Sequence, residues 1–233
     1  MERDKMAIPR PFPNESDAYR SARNELLAAE VELRRQGEHV AALRRELPLG
    51  GAPPEDYAFS RRSSGQTNTV ALSELFGDHD TLVLYNFMYS PDMKNPCGLC
   101  TALLDSLDGA AEHAGQRLSL VVVASSPIDR VLECAAARNW DRLRFVSSHG
   151  TTFEHDYLAQ NDKAFPWPIA NVFVRRDGEV RHFWSSELFY SPGPDGTDAR
   201  HVDSIWPLWN LFDLTPEGRG TDWYPRLIYR TGA

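Results

Sequence analysis

Lysine is almost missing from this chain: three of its 25 basic residues are Lys, and the Arg residues are scattered singly or in pairs. Against them stand 33 Asp plus Glu, for a formal charge of −8. A nucleic-acid partner or an anionic membrane surface requires a basic face to neutralise phosphates, so neither is expected. No apolar run reaches the ~18 residues that a bilayer span requires. The opening MERDKMAIPR has no apolar stretch of the kind a secretory signal carries. The expectation is a soluble, cytoplasmic protein. Also absent are a Gly-rich phosphate loop, a G-x-S-x-G nucleophile elbow and an H-E-x-x-H helix. No bound cofactor is expected. Three cysteines, Cys97, Cys100 and Cys134, are too few for a disulfide framework in 233 residues.

What is present is enough for a core. Hydrophobic residues make up 42% and aromatics 11%, a composition that excludes disorder of the chain as a whole. Residues 1–15, with Pro9, Pro11 and Pro13, are expected to be an irregular arm. Residues 16–47 read as one helix capped by Ser16, with Tyr19, Leu26, Leu33, Val40 and Leu47 recurring every seven residues. Gly37 interrupts this narrow stripe. The helix either lies across a domain surface or docks on a partner subunit. Its length, with a stripe that continues along most of it, favours a homodimer.

Residues 48–56, PLGGAPPED, have the composition of a linker. A domain over 57–215 and a tail over 216–233 follow. Within the domain, Thr81–Tyr89 and Leu118–Ala124 are apolar runs typical of buried strands, and they flank a helix from about Gly98 to Ala114. SSPID opens a second helix, with Ser126 as cap and Pro127 at its first position, running to about Trp140. Leu143–Ser147 is a short strand and Phe153–Leu158 a short helix. Ile169–Arg175 and Glu179–Trp184 form a hairpin around the turn signal RDG. Strand–helix–strand–helix followed by a hairpin predicts an α/β fold with a mixed sheet.

The chemistry centres on YSPDMKNPCGLC, residues 89–100. A thiol at a helix start faces unpaired backbone N–H groups and the positive end of the helix dipole, which favour thiolate over thiol. Cys97 is then the exposed attacking thiolate, and Cys100, one turn on, the resolving thiol. The alternatives are a purely structural pair or part of a metal site. A Cys₄ zinc site lacks its second pair, but a mixed Cys/His site remains open, with seven His residues available. Cys134 reads as a core thiol, with a second resolving role as the alternative. Asp92, Asp105 and Glu154 are candidate proton acceptors for Cys100, and nothing in their spacing selects one. Trp206, Trp209 and Phe212, at spacing three, read as a helix packed on the sheet or else as a dimer surface or pocket wall.

A buried strand, C-x-x-C at a helix start and a proline entering a β-hairpin together resemble thioredoxin. Longer strings narrow the resemblance to a bacterial thioredoxin-like family filed as a domain of unknown function: ALRRELP, DYAF, LSELFGDHDTLVLYNFMYSPD, NWDRLRFVSSHGTTFEHDY and WNLFDLTPEGRG. It covers the chain from about Ser16 to Gly220. It implies a three-layer thioredoxin-like sandwich with an N-terminal helical arm and a C-terminal extension. It also implies thiol–disulfide exchange with a protein or small-molecule disulfide or thiol. A cis-proline against the two sulfurs is implied as well, Pro168 matching better than Pro166. Pro96 and Leu99 stand where thioredoxins carry Trp and an inner Pro. Lys94 stands where peroxiredoxins carry the Thr three residues before their peroxidatic Cys, so peroxide reduction by that mechanism is disfavoured. The alternative function is a non-catalytic or metal-binding interaction module: resemblance to thioredoxin-fold copper chaperones makes Cys97, Cys100 and His182 a ligand set.

Overall fold

In a computed structural model of the chain, residues 11–191, 205–220 and 223–228 are described. Most of the expected irregular arm lies outside them, Pro9 included, as does part of the expected tail. The chain forms two compact units, residues 1–48 and 49–233. The first is built on helix α1, Asp17–Arg45, whose N-cap Ser16 accepts the Tyr19 N–H. No α1 residue is buried. Among the described residues no helix is long and apolar enough to cross a membrane.

In the second unit, right-handed twist and chain order dictate where the helices go. Strands β3 (Thr81–Asn86), β4 (Ser119–Ala124) and β5 (Arg144–Ser147) run parallel and lie side by side in sequence order. Two right-handed crossovers stepping in one direction must put both connecting helices on the same face. Accordingly α2 (Gly98–Ala114) and α3 (Ile128–Arg138) share one core with the Tyr85, Phe87, Val122 and Ala124 side of the sheet. The short helix α5 (Pro207–Phe212) joins them there through Trp206 and Trp209. On the opposite face, Leu82, Leu84, Val121 and Val123 meet Tyr57, Phe76 and Phe153, the last from α4 (Phe153–Asp156). The alternation of β3 and β4 side chains between the two cores is the period-two pattern of a sheet buried on both sides.

Antiparallel hairpins close both edges. β6 (Ala170–Arg176) pairs with β3, and β7 (Glu179–Ser185) with β6. Asp177 and Gly178 turn with φ of 52° and 81°, the left-handed pair that a two-residue hairpin requires. At the far edge, β1 (Ala58–Ser63) and β2 (Gln66–Ala71) turn through Ser64 and Gly65 at 52° and 78°. The seven strands lie in the order β2-β1-β5-β4-β3-β6-β7, so the fold is a thioredoxin-like α/β sandwich with a mixed central sheet.

Four details differ from expectation. Strand β3 ends at Asn86, and the β1–β2 hairpin was not foreseen. Helix α3 begins at Ile128 with Pro127 as its cap and stops at Arg138, because Asn139 enters the left-handed region and the Trp140 N–H returns to the Ala135 carbonyl. Trp140 thereby turns into the core and stacks on Phe145. The Gly-Gly pair within 48–56 is bound to the sheet: Gly50 N–H donates to the His182 carbonyl at 2.9 Å and His182 N–H to the Gly51 carbonyl at 3.0 Å. Those bonds cover part of the β7 edge, which otherwise presents unpaired backbone groups.

Candidate active site

The two cysteines lie where β3 delivers the chain to α2, at the carboxyl end of the parallel strands, the usual ligand side of an open α/β sheet. Cys97 is the N-cap of α2 and half-buried, and its own N–H donates to the Met88 carbonyl at 3.1 Å. Its sulfur sits where a capping oxygen would. The N–H groups of Leu99 and Cys100 face it and favour its thiolate, although neither closes a cap bond on the thiol. The largest influence is the Cys100 thiol, which hydrogen-bonds Cys97. Together with the Tyr224 hydroxyl, these donors outweigh partial burial and hold the Cys97 thiol down at about 6, against 9.0 for an unperturbed thiol.

Cys100 is the reverse case. It is 2% exposed, packed among Tyr85, Leu103 and Leu104, and burial pushes its thiol well up. A thiolate at Cys97 adds to that, while the Tyr85 hydroxyl and the Met88 N–H pull in the other direction. One helical turn thus separates a thiol poised to ionise from one poised to keep its proton, and both are reduced.

The loop entering the site is held from α3. The Arg130 guanidinium donates to the carbonyls of Ser90 (3.0 Å), Pro91 (2.8 Å) and Met93, and lies 4.4 Å from the Tyr89 ring centroid. One cation satisfies carbonyls of a loop that belongs to neither helix nor strand. Tyr224 reaches the site from the C-terminal end of the chain. Its hydroxyl accepts the Gly98 N–H at 2.8 Å and donates to Cys97 Sγ at 3.7 Å.

The other expected site residues are placed as follows. Pro168 and Pro166 are buried, but the cis peptide is not found: no described peptide bond is cis. The trans isomer is the favoured one, and here the Trp167 carbonyl accepts both the Ile169 N–H at 3.0 Å and Asn86 Nδ2 at 2.6 Å, closing a tight turn around Pro168. The ligand set Cys97, Cys100 and His182 is not assembled. His182, on β7, pairs with Phe173 of β6, its ring 5.4 Å from the Phe173 ring in the core opposite to the cysteines. Among the described residues no group of three or more His, Cys, Asp or Glu could hold a metal ion.

Of the candidate proton acceptors, Asp105 is engaged by Arg138 and by Trp140 Nε1 at 2.8 Å. Glu154 is buried and bonded by Ser148, with burial raising its carboxyl. Asp92 is exposed on the loop. The polar groups acting on Cys100 are Cys97, Tyr85 and the Met88 backbone. Cys134 is half-buried on α3 against the α2 core, its thiol raised by burial. Trp206 and Trp209 are buried in that same core. Tyr85 was missed in the sequence, although the alternation Tyr85, Phe87, Tyr89 was an available signal; Arg130 and Tyr224 carry no local signal.

Comparison with known proteins gives the following. No curated protein matches the chain. Among solved structures it is similar to the peroxidoxin BcpB of Mycobacterium tuberculosis, at 17% identity over 69% of this chain and 95% of that one, with a TM-score of 0.45. It is also similar to the mitochondrial 2-Cys peroxiredoxin of Plasmodium falciparum, at 13% identity over 70% and 94%, with a TM-score of 0.42. The exposed lipoprotein thioredoxin Etrx1 of Streptococcus pneumoniae matches at 17% identity over 64% and 97%, with a TM-score of 0.39. Because a family's sequence profile matches residues 9–230, nearly the whole chain including the cysteine pair and the segment that carries Tyr224, the protein belongs to the bacterial proteins of unknown function designated DUF899.

Proposed function

We propose that the protein is a thiol–disulfide oxidoreductase working through Cys97 and Cys100. The observation that carries this reading is the opposite bias on two thiols one turn apart: Cys97 held down to about 6 at the cap of α2, Cys100 buried and pushed up. The Cys97 thiolate attacks one sulfur of a substrate disulfide. A Cys97–substrate bond forms, the substrate S–S bond breaks, and the departing thiolate takes a proton from solvent. Cys100 then gives up its proton and attacks Cys97 Sγ, releasing the second substrate thiol and leaving a Cys97–Cys100 disulfide. Two electrons pass from protein to substrate, and a cellular dithiol returns them. A reducing compartment such as the cytoplasm suits a pair that must be returned to the dithiol after each turnover.

The Tyr85 hydroxyl, bonded to Cys100, is the buried group positioned to steady the charge that forms there during resolution. Once bonded to substrate, Cys97 no longer carries the charge that opposes Cys100 ionisation, which leaves burial as the main opposition and the Tyr85 hydroxyl working against it.

The test is single-turnover mixing of the reduced protein with a model disulfide, followed by mass mapping of the thiols. The expected product is an internal Cys97–Cys100 disulfide with two equivalents of substrate thiol released. A Cys100→Ser variant should stall with substrate attached to Cys97. A protein whose thiols both survive excess disulfide unchanged would overturn the assignment.

A further inference from the structure

Gly98 follows Cys97 directly, and it has no room for a side chain. A Cβ there would lie 2.7 Å from Tyr224 Cε1 and 2.9 Å from the Pro225 carbonyl oxygen, closer than real contacts allow. The segment 223–228 is therefore pressed onto the first turn of α2. It is held at three points. Tyr224 Oη takes the Gly98 N–H, one of the donors that a helix start leaves free, and donates to Cys97 Sγ. Trp223 packs its ring 5.5 Å from Trp209 and 5.0 Å from Phe212. The Leu227 carbonyl accepts from Arg138 Nη1 at 2.9 Å. Even so, Tyr224 remains 57% exposed, so the segment lies across the site without being buried in the core.

We propose that residues 223–228 form a strap that selects substrates by size, admitting low-molecular-weight disulfides to Cys97 and holding off disulfides set in a protein backbone. This rests on the exchange reading above. Attack on a disulfide needs the three sulfurs close to a line, with the leaving sulfur directed away from Cys97. A disulfide in a folded partner brings backbone on both sides of the sulfur under attack, and that backbone must lie along the surface beside the thiolate. The strap occupies this surface on the α2 side. A disulfide with arms of a few atoms reaches the half-buried sulfur beside Tyr224 without displacing it.

Three variants of the full chain separate the parts of the proposal. Gly98→Ala puts a methyl where the strap packs, while alanine is a better helix former than glycine. Tyr224→Gly removes the covering ring, and with it the hydroxyl that bonds Gly98 N–H and Cys97 Sγ, without changing any residue of α2. Tyr224→Phe keeps the ring and removes the hydroxyl. Each pre-reduced protein is mixed in single turnover with bis-hydroxyethyl disulfide or with insulin, and Cys97 is separately labelled with iodoacetamide or with a polymer-linked maleimide, read by mass mapping.

In Gly98→Ala and Tyr224→Gly the insulin rate should rise about tenfold relative to the small disulfide, and the polymer label should gain on iodoacetamide by a similar factor. Tyr224→Phe should keep both ratios within about twofold of the parent while raising the pH at which Cys97 reactivity levels off, because one donor to the thiolate is gone. Unchanged size ratios in both displacing variants overturn the strap. If the labelling ratio shifts while no variant reduces either disulfide, the strap stands and the exchange reading fails.

Discussion

The reactivity of Cys97 should follow an unusual pH profile whose size can be worked out from its surroundings. Its thiol is held at about 6, against 9.0 for an unperturbed one. At pH 7 roughly nine-tenths of it is thiolate, against about 1% of an ordinary cysteine, a gain of about 90-fold in reactive species. Lower basicity also makes each thiolate a weaker nucleophile. With a Brønsted coefficient of about 0.45, that loss is about 20-fold, so the net advantage is only about fourfold at pH 7 but about 30-fold near pH 5.5. The sign follows from the depressed pKa: reactivity climbs through about pH 6 and levels off above about pH 7, where a free thiol would keep climbing through pH 8. Stopped-flow reaction with dithiodipyridine, which releases a chromophore at low pH, reads this directly when the modified residue is mapped by mass. Replacing Cys100 by Ala removes the foremost stabiliser of the thiolate, so the plateau should move to higher pH. A parent rate that still rises through about pH 8.5 without a plateau would refute the electrostatic account of the site.

Tyr85→Phe should leave the first attack by Cys97 unchanged and slow resolution by about three- to tenfold, because the buried Cys100 loses a hydroxyl donor that favours its ionisation. Quenched-flow trapping would show the mixed disulfide on Cys97 persisting longer, and an unchanged lifetime would remove Tyr85 from the mechanism. Helix α1 leaves Leu26 and Leu33 50% and 72% exposed along about 44 Å of helix, and we propose that a second copy of the chain covers this stripe. Light scattering should give a dimer mass for the full chain and a monomer mass for a Leu26→Glu, Leu33→Glu variant; a monomeric parent at micromolar concentration would end that idea.

Local signals in the chain were enough to place the α2 boundaries, the Ser16 cap, the RDG hairpin and the cysteine pair at a helix start, because each depends on residues within one or two turns of one another. The β1–β2 hairpin escaped notice for a matching reason. Its strands, AFSRRS and QTNTVA, bury little besides Phe59 and Val70, so their alternation is faint, although Ser64-Gly65 is a turn signal of the same kind as Asp177-Gly178. His182 was legible only as an alternative ligand, because membership of a sheet does not say which face a side chain takes. Its pairing with Phe173 put it in the core opposite to Cys100. The cis-proline was implied by resemblance alone, and the turn that Trp167 and Asn86 close around Pro168 uses the trans bond.

What only the tertiary structure decided is the company Cys97 keeps. The sequence by itself determined that a thiol would stand at the start of a helix behind a buried strand, since apolar runs and helix starts are properties of neighbouring residues. It could not place Tyr224 on that thiol from 127 residues away, or Arg130 on the loop that precedes it. Nor could it show that Gly98 is glycine because another segment lies against it. Those contacts depend on how α3 and residues 223–228 pack on α2, and chain separation carries no record of that packing.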